Sequence, residues 1–298
     1  MKKKNVLVDK EKKVGILVRV YNRIDDLVIT LRLLKDTWDN NQYDIFVISN
    51  GVSHGYTLSQ TVYELADKVI CLDKNAGHLK GSSQLLMAGM EQMPLTKYDY
   101  IIILEADTWI YGDSLISKYI KLMQRKNAVW ASARWYDRFH SLATDFAIID
   151  AKYLQNNKEL FNFTYFPECH MANYLRDHNG KYIYIKENMQ TLIPSYIHFE
   201  WPYSRKGRFN CFHRGKMVTH HVEDYKDGFI TKKQEFNAVA GICYFEDVPA
   251  INLPMVKILI GLSHFVQSTL PKRSWTGNRC YLDIDARMRY VESLNQNE

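Results

Sequence analysis

The run Tyr98-Asp99-Tyr100-Ile101-Ile102-Ile103-Leu104-Glu105-Ala106-Asp107 most constrains what this chain can fold into. Its consecutive large aliphatic residues predict a strand buried on both faces, the kind found inside a parallel sheet with helices on either side. The strand runs straight into Glu105 and Asp107, whose i, i+2 spacing puts both carboxylates on one side of an extended chain. In open α/β sheets, ligands collect outside the carboxyl ends of the strands. Oxygen donors there suit magnesium or manganese, usually shared with the phosphates of a nucleotide. The competing reading is a strand that ends in a solvated acidic turn, and the flanking chain must decide between the two.

That chain alternates strand and helix. Residues 1–13 are mostly charged and read as an N-terminal arm. Val14 to Val20 reads as a buried strand ending in Tyr21-Asn22-Arg23. Leu27, Leu31 and Leu34 then recur at helical spacing as far as Trp38, with Asp25 and Asp26 at the positive end of the helix dipole. Tyr43 to Ser49 reads as a second strand closed by Asn50-Gly51, and a helix near 58–66 leads to a third strand over 68–72. Asn75-Ala76-Gly77-His78-Leu79-Lys80-Gly81 then opens a helix over 82–92, which Ser82 and Ser83 are suited to cap. This alternation predicts an α/β fold, a mostly parallel sheet flanked by helices, with a helical and loop extension at the C-terminal end. Downstream, helices are expected over 113–125 and 169–177, and strands over 128–131, 143–149, 182–185 and 217–219. The apolar stretch 253–270 contains Lys257 and His264, is too polar to span a bilayer, and is read as a core helix ahead of a membrane-surface one.

Composition excludes several functions. A formal charge of +6 over 298 residues suits phosphorylated ligands or anionic lipid and falls short of a nucleic-acid footprint. Cys71, Cys169, Cys211, Cys243 and Cys280 form no C-x-x-C pair and no zinc spacing, so free thiols in a reducing compartment are expected. Met1-Lys2-Lys3-Lys4 and the charged residues after it lack the apolar run of a signal peptide. The expectation is a cytoplasmic protein, with work at a membrane surface favoured slightly by the basic loop 204–216 and the 253–270 helix.

With these pieces in order, Val14 to Lys186 resembles the GT-A glycosyltransferases, particularly the family 2 group. Val20-Tyr21-Asn22-Arg23 matches the end of that family's first strand, which contacts the nucleotide, and Asn50 stands where the family reads the base with an aspartate. Asn75, Gly77 and Gly81 match its Asn-x-Gly turn, and Glu105-Ala106-Asp107 occupies the place of its Asp-x-Asp metal motif. Glu168-Cys169-His170-Met171 through Gly180-Lys181 resembles the segment that supplies the catalytic base, and His220 or His221 falls where many members carry a late metal ligand. Departures from the pattern are Asn50 and Glu105 in place of aspartates and Cys169 in place of an acidic residue.

The resemblance implies a Mn2+- or Mg2+-dependent transfer of sugar from a nucleoside diphosphate, a UDP-sugar by default, to a hydroxyl of a glycan or lipid-linked oligosaccharide, with inversion. Residues 14–200 would bind and react the donor, and 201–298 would complete the metal and acceptor sites. Asp107, with one of His220 and His221, would hold the metal, and Glu105 would bond the ribose or a metal-bound water or join the ligands. Glu168 would be the base, with Asp145 as second candidate, and His78 at a helix start would meet the diphosphate. Bland readings stand beside these: a capping role for Glu168, a solvated face or a lid for 204–216, and core packing or sugar stacking for Trp109 and Trp135. A pyrophosphorylase would need an early Gly-rich loop that this chain lacks. The remaining alternative is a non-catalytic nucleotide-sugar or glycan-binding module on the same fold.

Overall fold

The computed structural model describes residues 11–134, 140–187, 210–219 and 229–269. The first stretch contains β1 (Lys13–Val20), α1 (Ile24–Thr37), β2 (Gln42–Ser49), α2 (Gln60–Leu65), β3 (Lys68–Cys71) and α3 (His78–Gln92). It continues with β4 (Tyr100–Glu105), β5 (Trp109–Ile110), α4 (Ser114–Lys126) and β6 (Trp130–Ser132). Then come β7 (Phe146–Asp150), α5 (Ala151–Asn156), α6 (Pro167–Asp177) and β8 (Tyr182–Tyr184). Beyond residue 209 the described elements are β9 (Asn210–Phe212), β10 (Met217–Thr219), α7 (Ile230–Ala240) and α8 (Leu253–Thr269).

A 7-stranded sheet in the order β3-β2-β1-β4-β7-β6-β8 forms the middle layer. It is the mostly parallel sheet the alternation predicts: β7 alone runs against its neighbours β4 and β6. Strand pleating splits the apolar side chains between the two faces. Val14, Ile16, Val18, Tyr100, Ile102 and Leu104 pack with Leu27, Leu31 and Leu34 of α1 and Ile116, Ile120 and Met123 of α4. Leu17, Ile101 and Ile103 face the other way, against Leu85 and Leu86 of α3 and Met171 and Leu175 of α6. Burial on both faces explains why β1 and β4 read as continuous apolar runs, and truncating Ile102 to alanine would cost about 2–5 kcal/mol. Helix α3 lies close enough to β1 that a Cβ at Gly89 would come within 2.5 Å of Leu17.

A 3-stranded sheet, β5-β10-β9, packs beside the end of β4 and is covered by α7. Thus residues 210–219 and 229–240 pair with, and pack on, the strand that follows the acidic pair. Helix α7 escaped the sequence reading because its turns carry no apolar stripe: Lys232, Gln234, Glu235 and Asn237 are all buried. Helix α3 starts at His78 rather than at 82, because Gly77, at φ +90°, turns the chain into the helix one turn early. Ser82 and Ser83 are therefore not caps; Ser82 accepts from Arg19 and Ser83 donates to the Phe161 carbonyl. Strand β7 begins at Phe146, not at 143, since the Thr144 carbonyl is taken by Arg19. Helix α8 corrects the core-helix expectation: Val256 and Ile260 are buried, whereas Met255, Ile258, Leu262 and Phe265 are exposed. Among the described residues no helix is long and apolar enough to cross a membrane.

Candidate functional site

The chain leaves β1 toward β2 on one side and returns to β4 on the other, so the carboxyl ends of β1 and β4 form a topological switch point. Loops diverge there and open a crevice. A cavity of about 890 Å3 occupies it, a size suited to a small-molecule ligand. Val20, Tyr21, Asn22, Arg23, Asn50, Asn75, Gly77, His78, Gly81, Glu105, Ala106 and Asp107, the donor-side residues expected from sequence, all line this cavity. Arg19, His54, Ala76, Lys80, Ser82 and Leu85 line it as well. Of these, Arg19 had a visible signal, a lone cation near the end of an otherwise apolar strand. His54 had none, because it reaches the cleft through tertiary packing: its ring bonds the Tyr21 hydroxyl at 2.7 Å.

Register builds the acidic side. Arg19 on β1 pairs in register with Glu105 on β4, which sets both side chains on the same face. The Arg19 guanidinium, 4% exposed, donates to Glu105 Oε1 at 2.5 Å, to the Thr144 carbonyl at 2.8 Å and to Ser82 Oγ at 2.7 Å. Glu105 thus has one oxygen committed to an ion pair, while Asp107 lies beyond the strand end and is nearly buried. Asp145 precedes β7 and offers its carbonyl to the Glu105 N–H at 2.8 Å. Burial, first, and then the nearby Glu105 and Asp107 push the Asp145 carboxyl well above its ordinary range. Its Oδ2 accepts from Thr219 at 3.3 Å, and its buried Oδ1 has no hydrogen-bond partner among the described residues.

The C-terminal part of the chain braces this turn. Thr219, at the end of β10, also bonds the Thr108 hydroxyl. Lys232 of α7 is fully buried, donates to the Asp107 carbonyl at 2.8 Å and pairs with Asp26 of α1 at 2.5 Å. Its ammonium lies 4.0 Å from the centroid of the Trp109 ring. Trp109 is core, packed among Phe229, Phe236 and Phe245, and is not a sugar platform.

The opposite wall carries no carboxylate and is tightly tied. Asn75 Oδ1 accepts from the Gly77 N–H at 2.9 Å and from Asn50 Nδ2 at 3.3 Å. Asn50 Nδ2 also donates to the Gly81 carbonyl at 3.2 Å. Gln84 reaches back to the Ala76 N–H and the Lys74 carbonyl, so the turn before α3 is held from both ends. Asn50 is 1% exposed, and its Oδ1 has no partner among the described residues. Helix α3 begins at Gly77 with no side-chain cap, and such a start favours an anion.

The acceptor-side assignments are placed less directly. Glu168 sits buried in the first turn of α6, just after Pro167, and does not line the cavity. Asp145 is enclosed and does not line it either. His220, His221, Trp135 and the 204–209 part of the basic loop lie outside the described residues. Residues 210–216 form β9 and a turn in which Arg214 and Lys216 are exposed. Among the described residues no three His, Cys, Asp or Glu side chains are grouped to hold a metal ion. Glu105 and Asp107 both line the cavity at the strand end, and two carboxylates there fit a cation that takes its other ligands from phosphate and water.

No family model and no curated protein sequence matches the chain. Among solved structures it is similar to residues 1–349 of S. aureus TarS, at 12% identity and TM-score 0.39, over 55% of this chain and 55% of that one. It is similar to the same fragment in complex with UDP, at 10% identity and TM-score 0.41, over 59% and 61% of the two chains. A third similar structure is core-mannan synthase A from Aspergillus fumigatus in an Mn/GDP form, at 10% identity and TM-score 0.40, over 61% and 75% of the two chains. The chain therefore spans 55% to 61% of the length of these TarS structures.

Proposed function

We propose that this chain is a glycosyltransferase that binds a nucleoside-diphosphate sugar, by default a UDP-sugar, in the cleft at the β1/β4 switch point. The observation that carries the reading is the convergence, in one cavity, of a buried amide, an uncapped helix start and an acidic strand end. Asn50 Oδ1, a buried acceptor without a partner among the described residues, suits an N–H on the base edge. The N–H groups at the start of α3, with His78 and Lys80 beside them, suit the diphosphate. Asp107 and Glu105 would hold Mn2+ or Mg2+, with His220 or His221 as the further ligand. Those histidines directly follow Thr219, which touches Thr108 and Asp145. The metal, when bound, would neutralise charge that develops on the leaving diphosphate.

In this reading an acceptor-side carboxylate, Glu168 first and Asp145 second, takes the proton of an acceptor hydroxyl on a glycan or lipid-linked oligosaccharide that enters from outside the donor cavity, whose lining includes neither residue. The acceptor oxygen bonds to the anomeric carbon while the bond to the diphosphate breaks, and the departing oxygen keeps the electron pair. The result is inversion. Calorimetry with a nucleoside-diphosphate panel, with and without manganese, on wild type and Asp107→Ala tests the donor site. Manganese-dependent binding of one nucleotide, lost in the variant, is expected. Failure of every nucleotide to bind the wild-type protein with metal present would overturn the reading.

A further inference from the structure

We propose that the exposed face of α8, together with the cations beside it, docks this protein on an anionic lipid surface. At a helical step of 100° per residue, Met255, Ile258, Leu262 and Phe265 fall on one stripe, and all are exposed, from 44% to 70%. Val256 and Ile260 on the opposite side are buried against Ala238 of α7, so the helix is seated on the protein by one face and apolar on the other. A helix that is apolar all round belongs in a core or against an apolar partner, and this one is in the core on one side only.

Charge selects lipid as the partner. Lys257 lies between the seated face and the stripe, with its stem against Gly241 at the end of α7. The imidazole of His213, in the β9–β10 turn, feels the positive charges of Lys257, Arg214 and Lys216 together, and those three side chains are exposed. An apolar stripe flanked by cations is what an interfacial helix presents to anionic headgroups, each basic residue near the surface contributing on the order of fivefold in affinity. The inference stands on this surface alone and is independent of what the cleft binds.

Sedimentation of the full chain with vesicles tests it. Binding to vesicles of equal parts phosphatidylcholine and phosphatidylglycerol is expected, with little binding to phosphatidylcholine alone and loss in high salt. The variant I258D/L262D should lose at least tenfold in binding with its melting temperature unchanged, and Lys257→Glu should lose several-fold. Wild-type protein that ignores anionic vesicles, or a double variant that binds as wild type does, would overturn the proposal. So would self-association abolished by I258D/L262D without any vesicle binding, which would make a second copy the occupant. Vesicle binding that appears only after deletion of residues 270–298 would equally overturn it, because the chain's own end would then cover the stripe.

Discussion

Gly81 and Asn50 show how single atoms shape one wall of the cleft. A Cβ at position 81 would lie 2.4 Å from Asn75 Oδ1 and 3.1 Å from Asn50 Nδ2, so the absence of a side chain lets Asn75 sit against the first turn of α3. Gly81→Ala should push Asn75 off the Gly77 N–H. It should cost about 1–3 kcal/mol in urea unfolding and weaken nucleotide binding measured by calorimetry. The amide at position 50 is also specific. Its nitrogen donates to Asn75 and to the Gly81 carbonyl, which a carboxylate could not do. Asn50→Asp, although it restores the residue type of the resembled family, is therefore expected to destabilise by about 1–3 kcal/mol and not to raise nucleotide affinity. Wild-type stability in that variant would refute the account of Asn50.

Among the elements, α7 holds the acidic turn in place. Lys232 joins α7 to α1 through Asp26 and to the turn after β4 through the Asp107 carbonyl, all without solvent. Lys232→Met would remove the ammonium that pairs with the buried Asp26, and breaking a buried ion pair on one side costs about 3–5 kcal/mol. The double variant K232M/D26L removes both charges and should recover much of that loss, which a double-mutant cycle in urea would read. Helix α6 supplies a pH dependence. Burial lowers the pKa of His170, whose Nε2 lies 3.1 Å from the Leu160 carbonyl, and burial likewise lowers that of His213. A histidine kept neutral by the fold stabilises above its ordinary pKa of 6.5, and that contribution is lost as pH falls through the depressed value. Stability should therefore drop as pH falls below neutrality, and His170→Gln should flatten part of the slope in unfolding experiments across that range.

For the molecule as a whole, the cleft is assembled from ends of β1, β2 and β4, the start of α3 and, behind them, β10 and α7. Anything that binds this assembly and not the unfolded chain stabilises all of it. Manganese with its preferred nucleotide at a hundredfold excess over Kd should add about 2.7 kcal/mol to unfolding, with a matching rise in Tm. Asp107→Ala should abolish the metal-dependent part. An unchanged Tm in the wild-type protein would count against a bound cation in the cleft.

The sequence alone determined the α/β class and most of the residues that line the cleft, because both are local. Unbroken apolar runs specify strands buried on two faces, and Asn22, Asn50, Gly77 and Asp107 stand at strand or helix ends, where a parallel sheet must open its crevice. Tertiary structure decided what depends on distant chain segments. Only the β1–β4 register sets Arg19 against Glu105, and only packing of α7 buries Lys232 beside Asp26, contacts 86 and 206 residues apart in sequence. A polar helix such as α7 has no periodicity to read, since its burial is made tolerable by partners contributed from elsewhere in the chain. The two faces of α8 likewise could not be told apart from sequence: both are apolar, and what decides is which one finds Ala238.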